Sequence, residues 1–265
     1  MRPPPDAEIY APEFPSGLDW LNVAFLRMNT LMGRGAVLVE FWDFARAHSL
    51  RTLPYLRSWH ERYSKAGLQV IGVHSPGYSF GRDEETVARA VERLDVPYPV
   101  ALDTDLAVWR LYGNRGWPGR YLFDRRSLLR HVHYGEGEYL ETELAIQECL
   151  REIDADAELP ESLEPLRPED APGVLMEPQT ADIVLPRDRG RLELVRDWTD
   201  GEDWIAAADA GAAASFTFTA GQAFAVLSGD DLEPGLYETG GTVTAESPGV
   251  RLHAVQFTPV PPAPS

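Results

Sequence analysis

Residues 46–49, Arg-Ala-His-Ser, lie where the apolar run AVLVEFW (36–42) gives way to a helical stretch that begins near Ala45. Chemistry at this point would use the start of a helix. Ser49 would act as a nucleophile only with a general base, and His48 beside it is the one nearby candidate. Adjacent helix residues point apart and no acid is evident to orient the histidine, so no Ser-His hydrolytic pair is expected. Arg46 carries no nucleophile, and its charge beside the positive helix end is unfavourable by roughly 0.3–1 kcal/mol.

Cys149 is the single cysteine, which excludes an intrachain disulfide and a Cys-based structural metal site within one chain. It shares a helical stripe with Ile146, Leu150 and Ile153, so the bland reading is a small core residue with a raised pKa and the sharper one a reactive thiol. His131 and His133 alternate on one strand, a spacing that permits two metal ligands, while His48, His60, His74 and His253 are scattered. No metal and no cofactor is expected. In the C-terminal part Trp198, Trp204, Tyr237 and Phe257 offer either a stacking surface for sugar or simple core packing, and packing is the default.

These residues need elements to hold them. AVLVEFW and LQVIGVH (68–74) read as strands buried on both faces, separated by a helix over about Ala45–Ala66 that contains Pro54 and stops at Gly67. RDEETVARAVERLDV places Val87, Ala88, Val91 and Leu94 at helical spacing. YPVALDTD is a short strand, DLAVWRLYG a short helix, RYLFD and LLRHVHYG an antiparallel hairpin, and ETELAIQECLREI a closing helix. The order β-α-β-α-β-α-β-β-α predicts an α/β fold with a mixed sheet. From Asp154 the chain turns acidic, with prolines at 160, 165, 168 and 172, and reads as a linker. GRLELVRDW, ASFTFTA, AFAVLS, LYETGGTVTAE and VRLHAVQFTPV then predict a small all-β sandwich of jelly-roll type. The expected divisions are 1–154 with an N-terminal extension, a linker over 155–185, and a β module over 186–265.

At 265 residues, two domains are the prior. Residues 1–150 hold 17 basic against 20 acidic side chains, and 151–265 hold 7 against 22. No basic footprint for nucleic acid is present, and the acidic half reads as solubility. Lys65 is the only lysine, an arginine skew that points to a GC-rich genome. With no apolar run of membrane length and no signal-peptide core, no membrane association and a cytoplasmic location are expected.

With this order of elements, residues of about 10–154 resemble the thioredoxin-like fold, in its redoxin or TlpA branch, with the DipZ-type thiol-disulfide proteins as the nearest likeness. The resemblance rests on APEFPSGLDWLN, VLVEFWDF, LRTLPYLRSWHERY, GLQVIGVHSPGYSF, YPVALDTD, NRGWPGRYLFD and YGEGEYLETE in that order, and GVRLHAVQFTPV is similar to the end of the β module that follows in DipZ. It implies a Cys-x-x-Cys motif after the first strand, at Arg46, Ala47, His48 and Ser49, with a kink proline five residues beyond the second position, where Pro54 stands. It also implies a cis peptide at Trp117-Pro118, with Trp42, Phe44, Trp117, Pro118 and Tyr121 lining a groove for an extended peptide. The reading is a redox-inactive thioredoxin-like protein that binds protein or peptide. The alternatives are a thiol-disulfide oxidoreductase or peroxidase using Cys149 or a partner's thiol, and a sugar-binding module on a thioredoxin-like scaffold.

Overall fold

The computed structural model describes residues 1–3, 8–174, 176–177 and 179–260, which fall into two compact units. Residues 4–7, 175, 178 and 261–265, parts of the expected extension, linker and β module, lie outside the described residues. The first unit comprises Met1–Asp43, His48–Pro76 and Gly81–Pro172; the second comprises Phe44–Ala47, Gly77–Phe80 and Gly173–Ser265.

In the first unit, β1 (Asp19–Leu21), β2 (Ala36–Trp42), β3 (Leu68–His74), β4 (Val100–Leu102), β5 (Gly119–Phe123) and β6 (Leu129–Tyr134) form one sheet in the order β1-β4-β3-β2-β5-β6. The β2/β3 and β3/β4 pairs are parallel and the other pairs antiparallel. Every residue of β2 is buried, as its continuous apolar run requires of a central strand with both faces covered. The helices are α1 (Met28–Leu31), α2 (Ala47–Tyr63), α3 (Glu84–Arg93), α4 (Ala107–Tyr112) and α5 (Tyr139–Arg151). α2 begins two residues later than expected and passes into a 3-10 turn at Ser64–Ala66, where Gly67 takes φ +107°, a left-handed conformation that ends the helix. Asp83 caps α3 by accepting from the Thr86 backbone N–H at 2.8 Å. β1 and α1 were not anticipated: three or four residues are too few for a periodic signal, and β1 exists by pairing with β4.

The proline-rich stretch read as a linker holds to the first unit over residues 160–172. Tyr55 Oη donates to Asp170 (2.7 Å) and accepts from Leu166 N–H (2.8 Å), Leu163 N–H donates to Glu143 (2.9 Å), and Arg51 pairs with Glu169 (2.7 Å).

The second unit is an all-antiparallel β region. β12 (Ala223–Gly229), β13 (Leu232–Thr239), β15 (Arg251–Phe257), β10 (Ile205–Ala207) and β9 (Trp198–Asp200) form a sheet ordered β13-β12-β15-β10-β9, with β7 (Ile183–Val184) also on β15. β14 (Thr242–Thr244), β11 (Ala213–Ser215) and β8 (Glu193–Val195) form a second, ordered β14-β11-β8. Ile205, Ala214, Ala225, Val243, Leu252 and Phe257 draw on both sheets and belong to one buried cluster. Of the expected strand ASFTFTA only Ala214 and Ser215 are in strand, because Phe216 N–H turns to the Gly241 carbonyl. No helix among the described residues is long and apolar enough to cross a membrane.

Candidate functional site

β2 leads through residues 43–46 to α2, so that Arg46 directly precedes the helix and Ala47, His48 and Ser49 open it. Ala47 and Ser49 are buried, at 3 % and 1 % exposure, and Arg46 and His48 are half-buried. Ser49 Oγ accepts from the Asp43 backbone N–H at 3.3 Å, a structural bond on the inner side of the turn. His48 points elsewhere, with Nδ1 2.5 Å from Glu136 Oε1. Glu136 accepts from Arg51 Nε through both oxygens, at 3.0 and 2.8 Å. The histidine therefore has an orienting acid, which corrects the expectation that none exists. Glu136 lies 88 residues from His48 in a turn after β6, and no spacing could have signalled it. Burial pushes the Glu136 carboxyl up, but the His48 hydrogen bond and the Arg51 charge outweigh it and leave the group below the usual carboxylate range. The arrangement can hold an imidazole in one orientation; Ser49, bonded on the opposite side of the turn, is not its partner.

Behind this turn lies a second ion pair. Glu40 on β2 is the direct cross-strand partner of Arg120 on β5, and both are fully buried, with Arg120 Nε 3.5 Å from Glu40 Oε2. Arg120 donates to the Gly137 carbonyl at 2.7 Å and lies over the Tyr139 ring, whereas neither Glu40 oxygen has a hydrogen-bond donor. Burial pushes the Glu40 carboxyl up to about 8 against the pull of Arg120. The available sequence signal for this pair is a charged residue inside an otherwise apolar strand.

The Trp117-Pro118 peptide is cis. Trp117 is half-buried, donates from Nε1 to the Ser75 carbonyl (2.8 Å) and packs 4.4 Å from Trp109 between ring centroids. The other four groove residues offer little surface. Trp42 is 1 % exposed, on the Glu40 face of β2, edge-on to His74 at 5.5 Å. Alternation along the strand turns it into the interior. Phe44 is 1 % exposed and belongs to the second unit, against Phe80; Pro118 is buried. Tyr121 is 5 % exposed, with its hydroxyl donating to Asn114 Oδ1 (3.2 Å) and 2.9 Å from Tyr134 Oη. Of the five residues expected to line a groove, Trp117 alone keeps appreciable exposed surface.

Within the second unit, Phe44–Ala47 is held by Gln256 of β15. Ala47 N–H donates to Gln256 Oε1 at 2.8 Å, Gln256 Nε2 donates to the Ala45 carbonyl at 2.8 Å and to Tyr78 Oη at 2.8 Å, and the Arg46 guanidinium lies 4.7 Å from the Tyr78 ring centroid. The first N–H of α2 is thus occupied by a neutral amide oxygen. Gln256 went unremarked in the sequence, though a glutamine in the apolar run VRLHAVQF is its signal.

Cys149 is 1 % exposed in α5, and burial pushes its thiol up to about 12. His131 is buried, with burial lowering its pKa to about 4, and His133 Nδ1 lies 3.2 Å from Glu138 Oε2. Among the described residues no three His, Cys, Asp or Glu side chains come together as a metal would need. Trp198 and Phe257 are core residues of the second unit, and Trp204 lies under the Arg251 guanidinium, so the four aromatics do not form a common stacking plane.

Comparison with known proteins agrees with this geometry. Residues 21–132 match the AhpC/TSA family. The chain is 34 % identical over 173 residues to the protein DipZ of Mycobacterium tuberculosis, a match that covers 64 % of this chain and 25 % of DipZ, so the chain spans about a quarter of that relative's length. It is 27 % identical over 124 residues to the thiol-disulfide oxidoreductase YkuV of Bacillus subtilis, covering 47 % of this chain and 82 % of YkuV. A solved thioredoxin-like superfamily protein superposes with a TM-score of 0.50 at 20 % identity, covering 58 % of this chain and all of the other, which shows the fold. By its sequence relatives and its mixed sheet, the first unit is similar to thioredoxin-like proteins of the redoxin/TlpA-like branch.

Proposed function

We propose that this chain is a thioredoxin-like protein without thiol-disulfide exchange of its own, acting by binding protein or extended peptide. The observation that carries the reading is chemical: Arg46 directly precedes α2 and Ser49 stands in its first turn, and the one thiol in the chain, Cys149, is 1 % exposed and held protonated. Exchange needs an attacking thiolate and a second thiol to resolve the mixed disulfide. Neither is on offer. The Ala47 N–H, which at a helix start would steady a thiolate, is occupied by Gln256 instead. The surface left for a peptide is Trp117 beside its cis proline, a half-exposed aromatic with its indole nitrogen already anchored.

The test is insulin reduction with dithiothreitol as electron source. The expected result is no acceleration over a Cys149→Ala variant; turnover above that variant, or fast labelling of native Cys149 by a thiol reagent, overturns the reading in favour of a thiol enzyme. The double variant Arg46→Cys, Ser49→Cys should form a disulfide in air. For binding, a carboxymethylated insulin chain serves as an unfolded probe. Trp117→Ala should weaken it by about 1–3 kcal/mol, and no association with either form overturns the peptide reading.

A further inference from the structure

Among the described residues, the two sheets of the second unit end in four edge strands, two of which follow one another in the chain. Among the described residues β13 ends one sheet and β14 ends the other, each hydrogen-bonded on one side only, and the turn at Gly240-Gly241 joins them. A cleft of about 800 Å³ lies along these two strands. Its floor is the side of the apolar core, including Leu227, Val243 and Val250, at 9, 6 and 7 % exposure. Its charged lining is of one sign: Asp231, Glu238 and Glu246, all exposed, with no Lys, Arg or His among the lining residues. None of the three carboxylates is in an ion pair among the described residues; Glu238 accepts one hydrogen bond, from Gln222 Nε2 at 3.2 Å.

We propose that this cleft binds an extended peptide carrying lysine or arginine at alternate positions. Each feature selects one part of such a ligand. A free strand edge pairs with main chain. Pro234 has no N–H, so pairing along β13 is confined to Gly235–Thr239 beyond it. In an extended chain successive side chains point to opposite sides, which sends one set toward the apolar floor and the other toward the acidic rim. Three unpaired carboxylates beside low-dielectric apolar surface concentrate a negative potential that favours cations and rejects acidic chains. A sugar is a poorer fit, because Tyr237 is the one aromatic of the lining and its hydroxyl is bonded to the Glu233 carbonyl at 2.5 Å. The proposal goes beyond the reading of residues 46–49. Loss of either leaves the other standing, since one is read by insulin reduction and the other by a binding isotherm.

The experiment uses the full chain and fluorescence anisotropy with two short labelled peptides, one alternating Lys with Val and one alternating Glu with Val, at low and moderate salt. The Lys peptide should bind at least about tenfold more tightly than the Glu peptide. The variant Asp231→Asn, Glu238→Gln, Glu246→Gln should lose about tenfold in affinity with an unchanged melting temperature. A control that neutralises as many acids elsewhere on the same unit, Glu193→Gln, Glu202→Gln, Asp209→Asn, should bind as the wild type does. Equal losses in the two variants would mean attraction to a polyanion without a site. That result, or failure of the Lys peptide to bind, overturns the proposal.

Discussion

Two carboxylates of the first unit face an arginine, and their environments move them in opposite directions. Glu136 takes a three-centre bond from Arg51 Nε and a short bond from His48, at a place where solvent still reaches the histidine, and is held below the usual range. Glu40 faces Arg120 at 3.5 Å with no hydrogen-bond donor to either oxygen, at zero exposure, and is pushed up to about 8. A neighbouring positive charge is common to both. The difference is hydrogen bonds to the charged form, which outweigh desolvation at Glu136 and are missing at Glu40. An arginine beside a carboxylate therefore does not fix its charge state; the count of donors and the access of water do.

The strongest way to break the comparison is to remove the buried cation. Arg120→Ala removes the bond to the Gly137 carbonyl and vacates space under Trp59 and Tyr139, so it should destabilise by about 2–5 kcal/mol in urea unfolding. Replacing both partners, Glu40→Leu with Arg120→Met, should cost far less. A double variant as unstable as Arg120→Ala would show that the pair itself is not the source of the loss.

Next comes pH. The folded-state pKa of Glu40 is above its ordinary value, so the native state holds a proton that the unfolded chain releases more readily. Its contribution is fully present below the ordinary glutamate pKa and is lost as pH rises through about 8. The wild type should therefore lose on the order of 1–3 kcal/mol between the ordinary glutamate pKa and pH 8, and Glu40→Gln should flatten that slope. Identical slopes for the two proteins would place the Glu40 pKa in the ordinary range. Glu136 has the opposite sign. Its pKa is depressed, so its contribution is present above the ordinary value and fades as pH falls through the depressed one.

The smallest effect concerns Glu136 directly. Glu136→Gln keeps the shape but replaces charge-assisted bonds to Arg51 and His48 with neutral ones, and should cost about 1–2 kcal/mol at neutral pH. Proton NMR of the His48 ring is the sharper readout, because the ring should lose its single orientation. A His48 spectrum that does not change would mean that Glu136 does not hold it.

Much of the first unit was legible because its signals are local. The all-buried strands β2 and β3, the capped and amphipathic α3, and the β5–β6 hairpin each declare themselves within a dozen residues. The same is true of Pro54 and of the pair at Arg46 and Ser49, which stand at fixed offsets from β2. What stayed hidden depends on distant partners: β1 on β4, Glu136 on His48, and Gln256 on Ala47. The exposure of the aromatics expected at the groove was illegible for a related reason, since apolar rings beside a presumed site look alike whether they line it or lie beneath it.

The sequence by itself determined the order of elements, the single thiol, and the absence of cysteine at the start of α2, because composition and short-range periodicity are properties of the chain alone. Tertiary structure decided which groups meet and which of them stay dry. It turned Trp42 and Tyr121 inward, gave His48 its acid, left Glu40 facing Arg120 without donors, and left β13 and β14 as open edges over an acidic cleft. Burial and long-range hydrogen bonds are set by how sheets and helices close on one another, and it is these, more than residue type, that determine the charge a side chain carries and the surface it presents.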